Sequence, residues 1–218
     1  MKKNTLLTFL MCLIVMGLNA QNLEVVGKAK ITMMDTVTVV SANVVRQSDG
    51  TLALRQYKIG DMAQGGIVFY VDESGEHGLV ADTADISTGI QWYNGAYKVT
   101  NATGDGVGSG EMNTMLIIAQ QTVDNTAGNF AALLCANLVR GSYGDWYLPS
   151  KDELDLMWKN LHRFGCSNEV PDSSTCLTAL GGFESAFYWS STEDDSVLAW
   201  KQVFGDGNQV SSDKIDSG

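Results

Sequence analysis

Histidine, proline and cysteine are all scarce: two, two and four residues in a chain of 218. His77 and His162 lie far apart in sequence, and no G-x-S-x-G stretch presents a serine on a sharp turn, so a Ser–His–acid triad is not supported. No C-x-x-C pair is present, and two distant imidazoles do not make a zinc site. Basic residues are also few, 14 against 25 acids, for a formal charge of −11. A surface so acidic repels phosphate backbones and anionic lipids, which argues against nucleic acid or a membrane surface as partner. The main apolar run, Leu6–Gly17, is shorter than the ~20 residues a span requires.

That run follows Lys2 and Lys3 and precedes Leu18-Asn19-Ala20, the pattern of a secretory signal peptide over 1–20. Its removal takes away two lysines and no acid, moving the charge from −11 to −13. The mature chain is expected to be exported, to the periplasm, the medium or the cell surface, without inserting in a membrane. Such compartments permit disulfides. Of the three remaining cysteines, Cys166 and Cys176 flank a polar loop containing Pro171, and their pairing is expected ahead of any other. Cys135 lies on an apolar helix face and reads as a buried free thiol.

Residues 21–56 have strand-like character, with Thr36–Val45 rich in Val and Thr and Ser48-Asp49-Gly50 as a turn before Thr51–Leu54. This lead-in is too short for a core of its own. It is either a connector that oligomerises or a simple β appendage. The main domain, 57–218, opens with a hairpin: Gly66–Val71, a turn over Asp72–Gly78, and Leu79-Val80-Ala81. The glycine-rich Thr103–Gly110 lacks both the P-loop Lys-Ser/Thr and the G-x-G-x-x-G spacing, so it reads as a flexible loop leading into a helix. Met112, Met115, Leu116 and Ala119 form the expected core stripe of that helix. Ala127, Phe130, Ala131, Leu134, Cys135 and Leu138 form that of the next.

A third helix is the most sharply written. Ser150 and Glu153 spell a capping box, and Leu154, Met157, Trp158 and Leu161 fall on one face. Strands follow at Phe187–Ser191, Val197–Phe204 and Gln209–Lys214, the last two joined by a Gly205–Asn208 turn. Alternation places Trp200, Gln202 and Phe204 on a core face of the middle strand and Lys201 on the other. The order predicts an α+β domain whose terminal strands join the Gly66–Val71 sheet.

The acidic run Glu193-Asp194-Asp195 is the one candidate metal or acid site. It would offer carboxylates to calcium or the two acids of a glycosidase, against the plainer reading of a solvated turn without the D-x-[DN]-x-[DN]-G pattern.

Tyr57–Asp61, Gln64–Asp72, His77–Ala81, Asp145–Leu154 and Tyr188–Ser191, in this order, resemble the Lcl C-terminal domain family of bacterial surface adhesins. The resemblance spans about 57–208. It implies an extracellular adhesion or ligand-binding domain with a C-type-lectin-like fold, often a homotrimer. It also brings sulfated glycosaminoglycan as a ligand class, which the acidic charge argues against. Members of the family continue into a further arginine-bearing strand, so either the domain is cut short at its C-terminal end or an edge is left open. The expected function is non-catalytic recognition of a glycan or a surface protein through Glu193, Asp194, Asp195, Lys201, Asp206 and Asn208. The alternatives are a subunit of a surface fibre and, because the lectin-like fold group also hosts formylglycine-generating enzymes, an enzyme of that kind.

Overall fold

A computed structural model of the chain describes residues 44–46, 48–50, 52–54, 56–162 and 180–218. The chain divides into two units, 1–40 and 41–218, and every described residue belongs to the second. The expected signal peptide over 1–20, most of the lead-in and the expected Cys166–Cys176 pairing lie outside the described residues. The described part of the lead-in is an antiparallel hairpin of β1 (Val44–Arg46) and β2 (Leu52–Leu54), as the turn signal predicts.

The main body is mixed α+β, with two separate antiparallel sheets of three strands. The first has the order β3 (Met62–Ala63), β4 (Gly66–Val71), β5 (Gly78–Ala81). Its β4–β5 turn is set by Asp72, whose carboxylate accepts hydrogen bonds from the Ser74 and Gly75 backbone N–H groups at 3.1 Å. These bonds hold the carboxyl below its usual range, the Ser74 hydroxyl contributing most. The second sheet has the order β6 (Phe187–Glu193), β7 (Leu198–Val203), β8 (Gln209–Asp213). The terminal strands thus do not join the Gly66–Val71 sheet, contrary to expectation. β4 already has a neighbour on each side, and the three terminal strands pair among themselves.

Among the described residues, three α-helices lie between the sheets in sequence. α1 (Gly110–Gln121) reverses the expected face: Asn113, Thr114, Ile117 and Gln121 are buried, while Met112 and Met115 are 60 % and 54 % exposed. Polar side chains can face inward here because irregular backbone lies against them. Asn113 exchanges hydrogen bonds with Gly104, Thr114 with Leu148, and Gln121 accepts from the Asn94 N–H. α2 (Ala131–Ala136) is shorter than its apolar pattern: Ala127 is exposed and precedes it, and Leu138 follows it. α3 (Lys151–Met157) begins with the predicted capping box, both reciprocal bonds present, and continues as a π-helical turn over Trp158–His162. Leu154 and Leu161 are fully buried, as their spacing requires.

The core has two parts. Trp92, Ile117, Phe130, Leu148 and Trp189 pack in one, and Ile67, Phe69, Ala81 and Leu161 in the other.

Candidate functional site

Charge in this protein is sorted in an order that the sequence does not announce. Glu193, at the end of β6, turns inward and is 4 % exposed. Its carboxylate accepts from the backbone N–H groups of Thr100 and Asn101 at 2.9 Å and pairs with the Lys214 ammonium at 2.7 Å. Lys214 is wholly buried and donates also to the carbonyls of Lys98, Asp195 and Ser196. Burial pulls this ammonium below its usual value of 10.5, and the Glu193 carboxylate opposes the shift.

The acidic run therefore splays. Asp194 accepts from the Ser211 hydroxyl at 2.6 Å, and Asp195 accepts from the N–H groups of Val197 and Leu198. Those two bonds hold the Asp195 carboxyl below its usual value. The three carboxylates do not converge, and among the described residues no three His, Cys, Asp or Glu side chains are grouped to hold a metal ion. Lys201 is also not on a contact face. It is 7 % exposed, lies 4.9 Å from the Phe187 and Trp189 ring centres, and sits 3.6 Å from the Asp216 carboxylate. β7 is the central strand of its sheet and is covered on both sides, so alternation does not give it a wet face. Of the expected contact set, Asp194, Asp195, Asp206 and Asn208 are exposed. Asp206 and Asn208 are bonded chiefly to each other across their turn.

A well-formed concavity lies elsewhere. A cleft of about 740 Å³ runs between the hairpin and the start of β6. Its apolar lining comes from Phe69, Leu79 and Ala81 of the hairpin and Ile86 and Ile90 of the loop after it. α2 adds Leu134 and Cys135, and Leu138, Trp146, Leu148, Met157, Phe183 and Trp189 complete it. Many of these, including Leu79, Ile86, Leu134, Leu138 and Trp146, remain partly exposed. The sequence read Leu134 and Leu138 as core because helical spacing marks an apolar face without saying whether anything covers it.

Polar groups around the cleft are largely engaged already. Asp82 holds Arg140 in a two-pronged pair at 2.6–3.1 Å, which raises the guanidinium further above its usual value. The Tyr188 hydroxyl donates to Asp85 at 2.9 Å and accepts from the Glu184 N–H. Burial, then the Asp85 bond, push that phenol upward. The indole N–H groups of Trp146 and Trp189 donate to the carbonyls of Tyr143 and Ile90. Cys135 is a free thiol, as expected, and burial and the nearby Asp82 charge push it up to about 12. It stays protonated near neutrality and is a poor nucleophile there.

Glu153 is the other buried acid and was legible only as a cap. It accepts from the Ser150 N–H at 2.8 Å, from the Gly108 N–H at 2.7 Å and from the Tyr147 hydroxyl at 3.3 Å. The glycine loop is therefore fastened to the start of α3, with Ser150 donating to the Gly106 carbonyl and the Asp152 N–H to the Asp105 carbonyl. A Cβ at Gly110 would collide with Glu153 Oε2 and come within 2.6 Å of the Tyr147 ring, so a glycine fits there where a larger residue would not. Comparison with known proteins finds no family model and no curated protein sequence that matches this chain.

Proposed function

We propose that this is a non-catalytic recognition protein of the exported or cell-surface kind, and that the cleft between the hairpin and β6 is its binding site. The observation that carries the reading is an open apolar cleft whose indole and phenol donors are already used within the protein. Such a surface has area to bury against an apolar ligand, at roughly 25 cal/mol per Å². Its indole and phenol groups are not free to read the hydroxyls of a sugar. Of the two expected partner classes, a surface protein is favoured over a glycan. The kinship with the Lcl C-terminal domain, its lectin-like architecture and its trimeric state belong to this proposal, supported by the five ordered motifs.

The test is the binding of Nile red, a neutral apolar dye, to the folded protein. One site is expected, with Leu134→Glu removing it while the thermal melt stays cooperative. Native protein that leaves the dye dark defeats the reading.

A subunit of a surface assembly is a second reading with its own support. Met112, Met115, Ala119 and Val123 lie along one exposed side of α1 and its end, an apolar line with no covering element among the described residues.

A further inference from the structure

We infer that the cleft takes a basic, apolar protein segment, one in which aliphatic side chains alternate with lysine or arginine. The inference rests on the cleft being the binding site and adds the sign of the ligand's charge. Among the described residues that line the cleft, none is Lys, Arg or His, whereas Asp82, Asp85, Asp145 and Glu184 all are acids. Asp82 is paired with Arg140, whereas Asp85 accepts the Tyr188 hydrogen bond and has no ion-pair partner among the described residues. Asp145 and Glu184 are exposed, and their carboxylates have no hydrogen-bond or ion-pair partner among the described residues. Three uncompensated negative charges thus rim an apolar floor. A low-dielectric wall beside them strengthens their field at the mouth. An anionic polysaccharide or an acidic lipid headgroup meets repulsion there. A neutral sugar finds acceptors in these carboxylates but brings no positive charge to match them and no aliphatic side chain for the floor. A segment with aliphatic side chains for the floor and ammonium or guanidinium groups for the rim satisfies both parts at once.

The probes are three synthetic decapeptides, alternating Leu–Lys, Leu–Glu and Ser–Lys, and a neutral oligosaccharide, each used to displace Nile red from the cleft. Leu–Lys is expected to displace the dye, and the other three are not. Its affinity should fall about tenfold when salt is raised from 50 to 500 mM, and by a similar factor in the Asp145→Asn/Glu184→Gln double variant. Both residues are exposed, so a cooperative melt at the native temperature should show that the double variant is folded. Displacement by Leu–Glu equal to that by Leu–Lys, or no response to salt and to the double variant, overturns the assignment of charge while leaving the cleft as the binding site. Equal displacement by Ser–Lys overturns the apolar half. Displacement by the oligosaccharide in place of Leu–Lys overturns the peptide assignment. Native protein to which neither dye nor peptide binds overturns the cleft reading as well.

Discussion

The two sheets solve opposite problems. Around the terminal sheet, charge is inside: Glu193, Lys201 and Lys214 are buried with the neutral Gln202. Around the first sheet the charge stays at the rim, and aliphatic and aromatic surface is left open in the cleft. A buried ion pair adds little net stability compared with apolar packing, but removing one member is severe, because the other is then left alone in a poor solvent. Open apolar surface has the reverse character. Its loss does little to the fold and a great deal to whatever binds. The terminal sheet therefore holds a shape, and the open surface beside the first sheet is, on the proposed reading, where a partner is met.

The sharpest way to break this contrast is Lys214→Met. Stranding the Glu193 carboxylate should cost about 3–5 kcal/mol, read from urea unfolding. Adding Glu193→Gln should recover part of that loss; if the double variant is no more stable than the single one, the pair is not the organising contact. Next comes Glu153→Ala, which leaves the Gly108 and Ser150 N–H groups without their acceptor. The expected loss is about 2–3 kcal/mol, with faster hydrogen exchange at Gly108. On the cleft side, Leu138→Gln should shift stability by under about 1 kcal/mol yet weaken Nile red binding, so a large drop in the melt would show that Leu138 belongs to the core.

Two chemical probes sharpen the same contrast with smaller effects. Native Cys135 at pH 8 should alkylate on the order of a thousandfold more slowly than an ordinary thiol, followed by peptide mapping, since its value of about 12 lies three above the usual 9.0. Acid titration reports on the β6–β7 turn. The folded value of Asp195 lies below its usual 3.8, so its contribution is complete above 3.8 and disappears as pH falls through the lower folded value. Asp195→Asn should flatten that part of the stability–pH curve, and an unchanged slope would deny the turn its role.

Local signals in the sequence were reliable where the chain satisfies itself over a few residues. The Ser150–Glu153 box, the Gly66–Ala81 hairpin and the Gly205–Asn208 turn are all formed. Signals that depend on what lies opposite were not. Apolar spacing placed Met112 and Met115 inside, but Asn113 and Gln121 face irregular backbone that needs their hydrogen bonds. Three consecutive acids suggested one site, but a strand end sends Glu193 in and leaves Asp194 and Asp195 out. The cleft could not be read at all, because half-covered leucines and buried ones have the same letters.

The fastening of the glycine loop by Glu153 bears on how the molecule meets proteases. Residues 104–108 carry the composition of an easily nicked tether, yet their backbone is held by the first turn of a helix about 45 residues further along the chain. An enzyme seeking an extended strand there must first fray that helix and release the carboxylate from three donors. The segment that looks most vulnerable on paper is thus guarded by the one helix start among the described residues that has a full capping box.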